Sequence, residues 1–294
     1  MRIAVASGKG GTGKTTVATN LAHVASLDDR TVAYVDCDVE EPNGHLFLKP
    51  EWLVSRPVTR LIPKVDEAKC THCGLCSQIC QYSAIVPLGV TVLVYAEMCH
   101  ACGGCALVCP AGAITETTRQ IGVLDMGWSG NVQFNRGLLN IGEAMSPPLI
   151  RQTKSAPPKV DLTIIDAPPG TSCPAIESIR GSDFVLMVTE PTPFGLNDLR
   201  IAVDMVRALR LRMGVVINRA GSGDGQTADY CRANRLEILA EIPDDRRIAE
   251  AYSRGELICT ALPEYQTAFE ALLTRILRSE SRNPNATSTG GYRR

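Results

Sequence analysis

The sequence has no excess of either charge: 30 Lys and Arg face 31 Asp and Glu in 294 residues, a formal net charge of −1. That balance removes both the broad basic surface of a nucleic-acid binder and a strong acidic field, so no nucleic-acid partner is expected. No apolar run reaches the roughly 18 residues a spanning helix requires, so no integral membrane segment is expected. A basic leader, a long apolar core and a cleavage site are also missing ahead of the strand-like run 2–6, which makes the cytoplasm the expected location. Without such a leader, 12 cysteines do not read as a secreted disulfide framework. Eight of them fall in two tight runs, and metal ligation in a reducing compartment fits them better.

What is present is enough apolar residue, 45%, for one large core and a smaller module. β-rich apolar runs recur at 2–7, 31–36, 161–166, 183–190, 212–218 and 236–242, most of them separated by helix-length segments. This alternation predicts an α/β fold with a mostly parallel sheet covered by helices on both faces. Helical spacing is plain over 16–25, 196–209 and 265–277, where Tyr265, Phe269, Leu272, Leu273, Ile276 and Leu277 share one face. The rhythm stops near residue 50 and resumes near 160. Between them lie a Cys-rich block, about 63–117, and a hairpin-like stretch with Gly127-Trp128-Ser129-Gly130 at its turn, and both read as an insertion. The expected division is a main domain over 1–62 and 118–278, an inserted domain over 63–117, and a flexible polar tail over 279–294.

Gly8-Lys9-Gly10-Gly11-Thr12-Gly13-Lys14-Thr15 follows the first strand and opens the first helix, the context that the G-x-x-x-x-G-K-[ST] motif requires. Glycines let backbone N–H groups converge on phosphate oxygens, the helix N-terminus adds its positive end, and Lys14 neutralises β/γ-phosphate charge. Thr15 offers a hydroxyl to Mg²⁺, and Thr16 completes the phosphate-binding string. The expected ligands are ATP and Mg²⁺.

The string GKGGTGKTT, with its second lysine at Lys9, resembles the MinD/ParA/nitrogenase-iron-protein class of P-loop ATPases. In that class the extra lysine reaches the partner's nucleotide, so the resemblance implies a homodimer formed on ATP binding. Carboxylates also end two strands, in Val35-Asp36-Cys37-Asp38 and Ile165-Asp166-Ala167-Pro168-Pro169-Gly170, where ligands of parallel sheets bind. The resemblance implies that Asp38 positions the attacking water, Asp36 supports Mg²⁺, Asp166 is the Walker B carboxylate and Gly170 senses the γ-phosphate. It further implies that Asn218 and, more weakly, Pro243 meet the adenine; the plainer reading of Asn218 is a strand-end turn residue. The run 189–199 also matches the class and reads as a strand end, a loop and a helix start.

The insertion carries Cys70-x2-Cys73-x2-Cys76-x3-Cys80 and Cys99-x2-Cys102-x2-Cys105-x3-Cys109-Pro110. In that duplicated spacing three cysteines wrap one cubane, and the fourth ligates the other. The expectation is two [4Fe-4S] clusters in a bacterial-ferredoxin-like module, one on Cys70, Cys73, Cys76 and Cys109, the other on Cys99, Cys102, Cys105 and Cys80. Zinc is the alternative, and it leaves the duplication unexplained. Cys80 precedes Gln81 where a proline is customary, with the thiolate spacing intact. Cys37, Cys231 and Cys259 read as small buried hydrophobes. Cys173, seven residues after Asp166, resembles in position a cluster-ligating cysteine of the nitrogenase iron protein, and a packed thiol is its plainer reading.

The whole pattern resembles MinD-superfamily P-loop ATPases with an inserted ferredoxin domain, a group also described as cobyrinic acid a,c-diamide synthase-like. The resemblance implies an ATP-hydrolysing iron–sulfur protein in which dimer closure is coupled to electron transfer or cluster handling with a redox or assembly partner. The alternative is a MinD- or ParA-like spatial organiser with structural clusters. Against it, 265–277 reads as a docking helix, the tail after it lacks the apolar face of a membrane anchor, and the chain lacks a basic surface. An amidoligase would need substrate residues that the sequence does not offer.

Overall fold

The computed structural model describes residues 1–157, 159–223 and 225–281. In chain order the first half comprises β1 (Arg2–Ala6), α1 (Lys14–Ala25), β2 (Val32–Asp36), α2 (Gly44–Leu48), β3 (Glu51–Val65), α3 (Leu75–Ile79), β4 (Ile85–Leu88), β5 (Thr91–Val94), α4 (Gly104–Leu107), β6 (Ile114–Ser129) and β7 (Val132–Leu139). There follow α5 (Pro147–Ser155), β8 (Leu162–Asp166), α6 (Cys173–Ile179), β9 (Phe184–Thr189), α7 (Pro193–Ala208), β10 (Met213–Ala220), α8 (Gln226–Ala233), β11 (Ile238–Pro243), α9 (Arg246–Ser253), α10 (Ile258–Ala261) and α11 (Gln266–Ser281).

Nine strands form one sheet in the order β11-β10-β9-β1-β8-β2-β7-β6-β3. The pairings from β11 to β7 are parallel, and β6 and β3 close one edge antiparallel. The strand period of two sorts side chains between the faces. Ile3 and Val5 of β1 enter a core with Leu21 of α1 and Phe269 and Leu272 of α11. Ala4 and Ala6 enter the opposite core with Leu149 of α5, Ile179 of α6 and Val203 of α7. The α/β fold with helices on both faces is therefore as expected. Helix α7 begins three residues before the periodic run, because Thr192 caps it by accepting from the Gly195 N–H at 3.0 Å and Pro193 suits the first turn.

The stretch after the cysteines differs from its reading as inserted. Strand β6 continues through Trp128 and Ser129, the turn falls at 130–131, and β7 joins β2 in parallel, so the hairpin belongs to the main sheet. Helix α11 runs through Ser281, past the expected start of the tail at 279; the rest of that tail, 282–294, lies outside the described residues.

Register decides where the cysteine block projects. Val5, Asp166, Asp36, Arg136, Asp125 and Ser55 lie on one row across the sheet. Strand β3 runs in the same direction as β2, so the ten residues Arg56–Val65 extend past that row by about 33 Å at roughly 3.3 Å per residue. They leave on the side where the P-loop and the carboxylate strand ends lie. A register shift between Val58 and Thr59 marks the departure, and beyond it β3 pairs with β6 alone. At the end of this ribbon Ile85, Val92 and Ile114 form a small core with the β4–β5 hairpin, lined by cysteine side chains.

Candidate functional site

The loop between β1 and α1 opens into a cleft, continuous with solvent, whose lining includes Gly10, Gly11, Gly13, Lys14, Thr15 and Thr16. Two glycines here have steric reasons. A Cβ on Gly8 would stand 2.2 Å from the Asp198 carbonyl oxygen, so α7 closes directly on the loop. Gly13 has φ +92°, and a Cβ there would meet the Asn218 amide nitrogen at 2.3 Å. Asn218, at the end of β10, donates from Nδ2 to the Thr12 carbonyl at 2.9 Å. It thus braces the P-loop while also lining the cleft, and Pro243 lines the same end.

Lys14 is 93% buried (7% exposed) at the start of α1. Its charge draws down the carboxyls of Asp38 and Asp166, against a larger upward push from burial. The balance holds Asp38 up at about 6, with Asp166 adding to the rise. Asp36 and Asp166 are buried and adjacent in register, and burial followed by mutual repulsion holds Asp36 well above the carboxylate range. Asp36 accepts from the N–H groups of Asp38 at 3.2 Å and Gly44 at 3.0 Å. Asp166 Oδ2 accepts from the Tyr34 hydroxyl at 2.8 Å, whereas Oδ1 is buried with no partner among the described residues. Gly170 follows on the loop before α6, its N–H donating to the Ser7 carbonyl at 3.0 Å.

Lys9 does not extend outward. Its ammonium pairs with Glu190 at the end of β9, which also takes Arg219 at 3.1 Å and the Thr192 hydroxyl at 3.3 Å. Burial raises the Glu190 carboxyl, but the Lys9 bond and charge, with Thr192 and Arg219, bring it net below its usual range.

Three participants escaped the sequence reading. Tyr34 sits in the middle of an apolar strand and reads as core; Glu190 lies in the run 189–199, which reads only as a strand end, a loop and a helix start, and Tyr252 lies outside every motif. Tyr252 of α9 lines the cleft with Ile248 and packs on Phe47 of α2, centroids 4.9 Å apart. It therefore connects the Pro243 end of the cleft to the segment following Asp38.

The cysteine runs form two further cavities. One is lined by Cys70, Cys73, Cys76 and Cys109, the other by Cys80, Cys99, Cys102 and Cys105. All eight thiols are free. The two halves repeat each other bond for bond. The N–H of His72 meets Cys70 Sγ at 3.4 Å and that of Ala101 meets Cys99 Sγ at 3.4 Å; Ala84 and Ala113 do the same for Cys80 and Cys109, each at 3.3 Å. Positive φ recurs in step at His72 and Ala101 (56° and 54°), Gly74 and Gly103 (77° and 71°), and Ser83 and Gly112 (51° and 57°). Cys37, Cys231 and Cys259 are buried, and Cys173, at the first residue of α6, is exposed. No helix among the described residues is long and apolar enough to cross a membrane.

Residues 3–258 match the family described as the CobQ/CobB/MinD/ParA nucleotide binding domain. The Methanocaldococcus jannaschii protein MJ0579 is 30% identical over 259 residues, covering 87% of this chain and 90% of that one. An Aquifex aeolicus protein named iron-sulfur cluster carrier protein is 29% identical over 90% of this chain, which spans 64% of the longer relative. Among solved structures, the septum site-determining protein MinD with Mg-ADP from Pyrococcus horikoshii shares the fold, with TM-score 0.60, 23% identity and coverage of 94% and 95%. The chain therefore belongs to the CobQ/CobB/MinD/ParA family and is a MinD/ParA-type P-loop ATPase.

Proposed function

We propose that this ATPase carries two [4Fe-4S] clusters on a ferredoxin-like module and couples nucleotide-driven dimer closure to their redox state. The observation that carries this reading is the pair of thiol-lined cavities, each completed by the fourth cysteine of the other run. The donor chemistry fits: four thiols per cavity with repeated N–H···S bonds suit a thiolate-ligated cubane, and crossing the fourth ligand suits two of them. When bound, such clusters supply one-electron storage at low potential.

In the nucleotide cleft, the N–H groups of Gly10, Gly11 and Gly13 receive the phosphates and Lys14 balances their charge. Thr15 and the unpartnered Asp166 Oδ1 fit the Mg²⁺ shell, with Asp36 in support. Asp38 orients the attacking water, Gly170 senses the γ-phosphate, and the base lies between Asn218, Pro243 and Tyr252. Lys9, released from Glu190, reaches the partner's nucleotide in a homodimer. The ribbon β3–β6 carries the module past the same end of the sheet, so closure on nucleotide moves surfaces close to the thiols. The partner is a protein that exchanges electrons or clusters at that end.

Relatives named iron-sulfur cluster carrier proteins favour a second reading, in which clusters are cargo. Crossed ligation argues for residence, because release would dismantle the core around Ile85 and Ile114.

The test is an EPR-monitored redox titration of anaerobically purified protein, with and without a non-hydrolysable ATP analogue and Mg²⁺. A shift beyond roughly 30–60 mV, on the order of 1 kcal/mol for one electron, supports coupling. Identical potentials in both states reject it. Two clusters lost intact to an apo-ferredoxin acceptor would favour cargo.

A further inference from the structure

The two cysteine runs share their ties within the module, but one of them has a further anchor. In the first, Cys70 N–H donates to the Asp66 carbonyl at 3.1 Å and Asp66 N–H to Ala113 at 2.8 Å, and Glu67 accepts from Val92 N–H at 2.9 Å; in the second, Cys99 N–H donates to Ala96 at 3.2 Å and Tyr95 N–H to Ala84 at 2.8 Å. The second is held in addition from the ATPase body. Arg60, on β3 just past the register shift and 5% exposed, donates to the carbonyls of Cys99, Ala96 (2.7 Å) and Glu97 (3.4 Å). The same guanidinium pairs with Glu143 at 2.8 Å, both side chains almost fully buried. Arg119, directly across from Arg60, sends its guanidinium to Glu97 at 2.8 Å and to Glu143 at 3.5 Å. Two arginines facing each other across a ribbon repel, and Glu143 is what makes the arrangement tolerable.

Glu143 belongs to the loop that enters α5. Its Oε1 accepts from Met145 N–H at 3.2 Å, and Ser146 follows as the residue before the helix. Helix α5 in turn grips α6, which follows the Asp166–Gly170 loop. Lys154 Nζ donates to the carbonyls of Glu177 and of Arg180 (2.7 Å), and Arg151 pairs with Glu177 at 3.1 Å. A route therefore runs from the proposed γ-phosphate-sensing loop along α6, across its polar contacts to α5, along α5 to the Glu143 loop, and through Arg60 to the backbone of 96–99. Among the described residues the first run has no counterpart to this joint.

We propose that the Arg60–Glu143 pair is the positioning joint through which nucleotide state reaches the second cysteine run selectively. The moving element is the loop leading into α6, whose arrangement the γ-phosphate biases; a buried, directional ion pair transmits its displacement where an apolar contact would slide. The inference rests on the coupled-ATPase reading above and adds a direction to it: nucleotide is felt at Cys99, Cys102 and Cys105 and not at Cys70, Cys73 and Cys76. Arg60 is a positioning residue, acting on backbone carbonyls beside the thiols.

Hydrogen–deuterium exchange of the full-length, anaerobically purified protein tests it, with and without AMPPNP and Mg²⁺. In the native protein, amides of 96–107 change rate by about fivefold or more on adding nucleotide, the lower end of an ordinary coupling, and those of 67–78 do not. In Arg60→Lys, which keeps charge and loses the fork, the response at 96–107 disappears while that at the P-loop and 166–180 remains. The neutral pair Arg60→Met/Glu143→Leu guards against misfolding, since apolar replacements of buried ion pairs commonly preserve stability. It loses the response too. Equal responses in both cysteine runs, or a response at 96–107 that persists in a folded variant, overturns the inference. That failure is distinct from failure of the coupled reading, which shows as unchanged cluster potentials in the native protein.

Discussion

Replacing Glu190 by Gln should tighten nucleotide-dependent dimerisation. In the proposed homodimer Lys9 must leave Glu190 before it can reach a second nucleotide, so each protomer would give up one ion pair on closing. The pair is partly shielded, with side-chain exposures of 31% for Lys9 and 11% for Glu190, so about 1 kcal/mol is a fair value, the top of the range for exposed pairs. A symmetric dimer loses two, about 2 kcal/mol, and removing that cost lowers the dimer dissociation constant roughly 30-fold. Gln keeps the shape, with its oxygen left to accept from Arg219 and its amide N–H able to donate to the Thr192 hydroxyl, so the loop 189–193 should hold its place. Sedimentation equilibrium with AMPPNP and Mg²⁺ reads the constant directly, and raised ionic strength should narrow the difference by screening the native pair. A constant unchanged within about threefold, or a weaker dimer, would refute the reasoning; a weaker dimer would mean that Glu190 receives the partner's Lys9 instead.

Tyr34→Phe removes the hydroxyl from Asp166 and leaves a buried oxygen unpaired, which should cost about 1–3 kcal/mol in denaturant unfolding. The freed carboxylate should also raise the Mg²⁺ concentration needed for half-maximal binding of fluorescent ADP, whereas an unchanged Mg²⁺ requirement would limit Tyr34 to packing. Burial pushes the thiols of Cys231 to about 11 and Cys259 to about 12, so at pH 8 only about one part in a thousand or less is thiolate. Mass spectrometry after brief maleimide treatment of the native protein should find Cys173 modified and those two intact until denaturant is added; early labelling of Cys231 or Cys259 would show that their cores open readily. Cys109→Ser should lower iron from about eight atoms per chain and disturb the EPR signal of the Cys70 group, and Cys80→Ser that of the Cys99 group; uncrossed losses would overturn the ligand pairing.

The sequence reveals what is encoded at short range. The P-loop, the strand-ending carboxylates and the two cysteine runs are each contained in a few consecutive residues, so spacing alone locates them. The crossed thiol sets are also legible, because the repeat makes one half a template for the other. Illegible were the features set by register. The residues of β3 alternate poorly, with Trp52, Leu53 and Val54 all exposed, so no strand is expected where the rhythm stops near residue 50, although β3 pairs with β6 from Glu51 to Val65. Glu143 and Arg60 are 83 positions apart, and Lys9 and Glu190 181, and nothing local to either partner points to the other. Tyr34 looks like any core aromatic until Asp166 arrives beside it from the neighbouring strand.

Register also explains how one chain can combine a nucleotide cleft with the cysteine module. That module has its own small core, which an insertion into a helix or a tightly packed β–α loop would compromise. Here the insertion leaves through β3 and returns through β6, two strands that already pair at the edge of the sheet, so alternate residues of the ribbon bond across it while the outward backbone groups face water. The module is carried past the carboxylate row without disturbing the parallel strands that form the nucleotide cleft. The same ribbon would be a loose tether if backbone pairing alone held it, because a two-stranded ribbon is marginal in water. Arg60 and Arg119, meeting Glu143 and Glu97 where the strands leave the sheet, supply the missing rigidity at the point where a hinge would otherwise form.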